Sequence, residues 1–138
     1  MNERQIKQNT LDIYQVYEHK FHTYNVTIYK QCKKDKITYS EIKANSKLEK
    51  TIRNYLNELE FICVGINIGI YDIDVLERLY GDVMVRLYEQ LYDYIDFRRK
   101  ERKTNIVFME YEIDVKKMKK IQQRKELLNR QAEFEMNI

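Results

Sequence analysis

The chain contains no proline and only three glycines, Gly65, Gly69 and Gly81. Tight turns and hairpins draw on Gly and Pro for the backbone angles they need, so an all-β fold with many such turns has little to be built from here. Long helices joined by polar connections are the economical alternative. Hydrophobic residues at 43% and charged residues at 34% give such helices both a core and a solvated surface. At 138 residues the length suits one domain with a core that needs no metal or disulfide.

No apolar leader opens the sequence: Met1 to Asn9 carries Glu3, Arg4 and Lys7. The longest apolar stretch, Phe61 to Tyr71, is interrupted by Asn67 and is 11 residues long, against the roughly 20 that a membrane span requires. Cys32 and Cys63 lack metal-ligand spacing and read as two thiols in a reducing cytosol, with one disulfide as the alternative. A cytoplasmic protein with no membrane association is the expectation.

Along the first segment, about Glu3 to Lys34, Ile6, Ile13, Tyr17, Tyr24 and Ile28 fall on one helical face. Within it, His22, Tyr24, Val26 and Ile28 also alternate with polar residues as a strand would, so 21–29 is open to either reading, with helix preferred. After a polar connection with a possible short turn at Ser40 to Lys43, Ser46-Lys47-Leu48-Glu49 fits a capping box with Ser46 as the cap. Behind it Leu48, Ile52, Tyr55, Leu59, Ile62 and Ile66 step alternately by four and three, a core-facing stripe widened by Leu56 and Cys63. Gly69 is the natural stop.

Asp72 or Asp74 would cap the next helix, whose expected buried side is Leu76, Leu79, Val83, Leu87, Leu91, Tyr94 and Ile95, with Gly81 as a weak point or kink. It runs into Arg98-Arg99-Lys100, cations suited to a helix C-terminus. Thr104 or Asn105 would begin the last segment, in which Phe108, Tyr111, Val115 and Met118 fit a helix while Met109, Tyr111, Ile113 and Val115 fit a strand. Pairing 21–29 with 106–115 would give an α+β fold with a two-stranded ribbon; the preferred reading is an all-α bundle of about four helices. It forms a single domain over 1–138, with 121–138 a projecting or frayed helical tail, because apolar residues thin after Met118.

Tyr55-Leu56-Asn57-Glu58-Leu59-Glu60-Phe61, Val64-Gly65-Ile66, Gly69-Ile70-Tyr71, Asp74, Leu79, Gly81 and Tyr94-Ile95 followed by Arg98-Arg99 arrive in an order that resembles a domain-of-unknown-function family. Its members are small helical proteins of bacteria, prophages and other mobile elements, and the resemblance covers about Tyr55 to Lys120. Many members begin with hydrophobic anchor segments; this sequence is similar only to the soluble part. The resemblance implies a helical fold and a mobile-element setting. The family has no assigned activity, so no functional residue is carried over.

Catalytic and metal-binding patterns are sparse. Gly65-x-x-x-Gly69 is followed by no Lys-Ser/Thr and reads as relief of a tight helix crossing plus a cap, not as a phosphate loop. His19 and His22 stand on neighbouring helical turns, but they are the only histidines and a zinc site needs at least three protein ligands. No histidine is placed to activate Ser40 or Ser46. No enzyme class, cofactor or metal is therefore expected.

Two surfaces suggest partners. From Arg98 to Arg130 twelve cations stand against five anions, a net +7 in a chain whose total is +3. Within it Arg98, Arg99, Lys116, Lys117, Lys119, Lys120 and Arg124 are candidate phosphate contacts. Tyr88, Tyr92 and Tyr94 cannot all face one core from one helix, so at least one is exposed; with Glu89, Asp93 and Asp96, Tyr88 and Tyr92 form a candidate protein-binding patch. The leading expectation is a non-enzymatic binding protein of a phage or mobile element, an inhibitor or adaptor meeting an unknown host or defence protein. Nucleic-acid binding through 98–130 is the alternative, and a homodimer is possible.

Overall fold

The structure, a computed structural model describing residues 1–137, contains six helices and, among those residues, no strand. They are α1 (Glu3–Gln31), α2 (Tyr39–Lys43), α3 (Ser46–Asn67), α4 (Ile73–Gln90), α5 (Tyr92–Arg102) and α6 (Met109–Met136). The fold is all-α, with two short helices beyond the expected four. Both ambiguous segments are helical, so there is no ribbon. In 21–29 the spacing of Phe21, Tyr24 and Ile28 decides, since a helix sets Phe21 and Tyr24 against Tyr55 and turns Ile28 into the same core. In α6, Tyr111, Val115 and Met118 share a fully covered face.

The long helices form the bundle. α1 and α6 each pack against both α3 and α4, and α2 packs on α3 and α5. Directions follow from pairs along the helices. Thr10 Oγ1 accepts from Asp72 N at 2.7 Å and Asn25 donates to Tyr80 Oη at 2.8 Å, so α1 and α4 run the same way. The Lys20–Glu58 ion pair and the Asn45–Gln31 hydrogen bond set α3 antiparallel to α1. Tyr111 donates to the Met84 carbonyl near one end of α4, and Lys125 pairs with Glu77 near the other, which makes α6 antiparallel to α4.

Local signals are placed differently from the sequence expectation at five points. Asn45, not Ser46, caps α3, accepting from Leu48 N at 3.0 Å, while Glu49 pairs with Lys43. The capping box lies one helix earlier, at Thr38 and Glu41. Asp72 caps α4 as expected, but that helix stops at Gln90. There Ile37 N donates to the Gln90 carbonyl at 3.0 Å, taking the acceptor that a continuing helix would offer to residue 94. α6 begins at Met109 rather than Thr104 or Asn105, after Phe108 in the left-handed region at φ 56°. Gly65 admits the Tyr71 ring, not a second helix: a Cβ there would collide with Cε2 and Cδ2 of that ring. Gly69 follows α3 with φ +86°, the stop that was expected.

The buried side of α4 also differs. Leu79 is exposed, whereas Met84, Val85 and Tyr88 are covered. A helix wedged between α1 and α6 buries two arcs, and a single-stripe reading finds only part of them.

Candidate functional site

α6 presents its inner face to the core through Tyr111, Asp114, Val115, Met118 and Ile121. Residues four apart stack on one side of a helix, so Lys116, Lys120 and Arg124, with Lys117 beside them, lie on the opposite, solvent side. All four are exposed, and none forms an ion pair with a carboxylate among the described residues. From Lys116 to Arg124 the row spans about 12 Å at the helical rise. Such a row of uncompensated, solvated cations offers point-charge contacts to successive phosphates or carboxylates.

The start of α6 is fixed by partly buried polar groups and by the buried Arg99. Phe108 supplies no side-chain cap, and the Glu60 carboxylate on α3 takes that role, accepting from Tyr111 N at 2.8 Å and Glu110 N at 3.3 Å. Burial raises the pKa of Glu60, and these two amide bonds oppose the rise. Asn67 donates to Glu110 at 2.5 Å. Arg99 locks the loop before α6, with Nε donating to the Val107 carbonyl at 2.8 Å and Nη1 donating to Glu112 at 3.3 Å.

Three cations expected to meet phosphate are therefore engaged or withdrawn. Arg99 is only 8% exposed and works inside the fold. Lys119 pairs with Glu89 at 2.6 Å, and Arg98 is half-buried with a covered, unpartnered Nε.

The tyrosine and acid patch is altered more. Tyr88 is a buried residue and not a surface contact: its hydroxyl donates to Glu112 at 2.9 Å and its ring meets Tyr111 edge-on. Burial, then Glu112, raises its pKa. Glu89 is held by Lys119, Asp96 by Lys100 at 2.9 Å, and Asp93 accepts from Tyr39 N at 2.7 Å at the start of α2. Tyr92 alone of the tyrosines 88, 92 and 94 is open, at 46% exposure. The charges were legible in the sequence; their mutual cancellation was not, since Glu89 and Lys119 are far apart along the chain.

A feature missed in the sequence lies between α1 and α4. A cleft of about 720 Å³ has Ile28, Val83 and Leu87 among its lining residues together with Lys33, Lys34, Lys36 and Arg86, and it adjoins a second of about 510 Å³ that contains His19 and His22. Asn25 and Val83 line both. The run Lys33-Lys34-Asp35-Lys36 was visible only as a polar connection; its partner Arg86 comes from another helix. Among the described residues no group of three or more His, Cys, Asp or Glu is arranged around a possible metal position. Cys32 and Cys63 are not bonded to each other, and no described helix is long and apolar enough to cross a membrane.

Fold and surface together define a six-helix, all-α protein with a basic row on its last helix. The chain belongs to the family described as a domain of unknown function (DUF4760), which matches residues 1–118. That match extends the resemblance seen from Tyr55 onward back to the first residue, and α6 runs on beyond it to Met136. No curated protein and no solved structure matches the chain.

Proposed function

We propose that the protein is a binding protein, not a catalyst, and that its working surface is the outward face of α6, which takes a polyanion, foremost a nucleic acid. The observation that carries this reading is the row Lys116, Lys117, Lys120 and Arg124, exposed and free of intramolecular ion pairs, on a helix whose opposite face is fixed in the core. A row on one helix without aromatic neighbours for base stacking supports backbone contact over sequence readout. Reversing all four charges to glutamate leaves the core untouched and abolishes capture of a labelled oligonucleotide; undiminished capture by that variant would sink the reading.

An inhibitor or adaptor acting on a host or defence protein is the second reading. Its support is the apolar row of Phe61 and Val64 on α3 and Ile68 just past its end, all exposed, together with Tyr92. Affinity capture from lysate, with and without nuclease, separates the two. A specific protein retained after nuclease favours the second, and loss of all captured material favours the first.

A further inference from the structure

The cleft between α1 and α4 and the end of α6 are complementary in charge and polarity. We propose that the last three turns of α6 from a second copy of this chain occupy that cleft.

The cleft is net positive: Lys33, Lys34, Lys36 and Arg86 line it against Asp35 and Glu89, and Glu89 is held by Lys119. Lys34 is neutralised by Glu41 at 2.9 Å. Lys33, Lys36 and Arg86 pair with no carboxylate among the described residues; Lys33 lies over the Tyr29 ring and Arg86 Nε only approaches the Asp82 carbonyl at 3.5 Å. Ile28 and Leu87, both buried, give it an apolar floor, and Asn25 and Gln90 add polar groups to its lining.

The end of α6 is the converse. Its last tie to the body is the Lys125–Glu77 pair, and every described residue from Glu126 onward is exposed. Leu127 and Leu128 are 62% and 66% exposed and Phe134 is 68% exposed. Glu126 and Arg130 pair with one another, which leaves Glu133 and Glu135 as the free charges, flanking Phe134. An acidic helix end with exposed apolar side chains and a net-basic cleft with an apolar floor are the two halves of a helix-in-groove contact.

The same molecule cannot supply both halves. α6 is unbroken and antiparallel to α4; at Lys125 it is level with Glu77 and it continues away from Val83–Gln90, the part of α4 that lines the cleft. A second copy satisfies the geometry and leaves Lys116, Lys117, Lys120 and Arg124 outside the contact.

Sedimentation of the nuclease-treated full chain across the micromolar range tests this. The chain is expected to self-associate. Glu133→Lys with Glu135→Lys, and separately Lys33→Glu with Lys36→Glu, should each weaken association about tenfold or more. All four substitutions in one chain should restore it, because the pairs are then reversed together. These positions are exposed, so circular dichroism should be unchanged throughout. A chain that stays monomeric, association indifferent to either pair, or failure of the combined variant to recover would each overturn the proposal.

Discussion

Asp114 is fully buried on the inner face of α6, and neither carboxylate oxygen has a hydrogen-bond partner. Cys63, a weak donor, lies alongside; Lys117 favours the ionised form, and Glu110 and Glu60 oppose it. Desolvation dominates and lifts the carboxyl from 3.8 to about 6. A carboxyl that holds its proton more tightly folded than unfolded costs stability as pH climbs from about 4 to about 6, and the cost persists above. Asp114→Asn should therefore raise unfolding free energy at pH 7.5 by about 1–3 kcal/mol and leave it nearly unchanged near pH 4. Urea unfolding at the two pH values reads the difference directly; a loss at pH 7.5 would show that the carboxylate itself is needed. In the sequence Asp114 sat among alternating acids, and nothing local marked it as the one turned inward. Gly65 illustrates the opposite case: the need for a small residue was legible, but what it makes room for, the Tyr71 ring, was not. Gly65→Ala should cost about 1–3 kcal/mol by displacing that ring, measurable as a lower urea midpoint.

Among the elements, long helices with one apolar stripe were the readable ones. α3 follows its four-and-three stripe from Leu48 to Ile66, all of it buried. The short helices were hidden because their stability comes from partners distant in sequence. α2 has five residues, too few to hold itself. It stands because Thr38 and Glu41 cap each other, Asp93 receives its first amide, and the Tyr39 ring stacks on Phe97 at 4.4 Å. Thr38-Tyr39-Ser40-Glu41 carries the same capping pattern as Ser46-Lys47-Leu48-Glu49, so pattern alone does not say which box forms. Asn45 outcompeted Ser46 by accepting from Leu48 N one position earlier. Thr38→Ala should lower stability by about 1 kcal/mol in chemical denaturation, and an unchanged midpoint would mean that the cap is idle. Lys34 and the Thr38 contacts hold Glu41 down at about 2. Because that pKa is depressed on folding, its stabilisation is present above the ordinary carboxylate range and fades as pH falls toward 2.

For the whole molecule, net charge says less than its distribution. The total of +3 conceals a +7 segment, and part of that segment is spent on internal pairs with Glu77, Glu89, Asp96 and Glu112. Besides Arg98, Arg102 and Lys103 around the end of α5, what survives is the outward row on α6, which straddles residue 118, where the family match ends. The sequence pointed to that segment without distinguishing Lys116, Lys117, Lys120 and Arg124 from Arg99, because burial of Arg99 depends on a loop that folds back on α5. The most direct test is the salt dependence of oligonucleotide binding, followed by fluorescence anisotropy, for the native chain and the four-glutamate variant. Four phosphate contacts predict a slope of log affinity against log salt of about −3 to −4. The variant should show no measurable slope because it no longer binds. A native chain that fails to bind at low salt, or a variant with the same slope, would contradict the assignment of α6 as a polyanion-binding face.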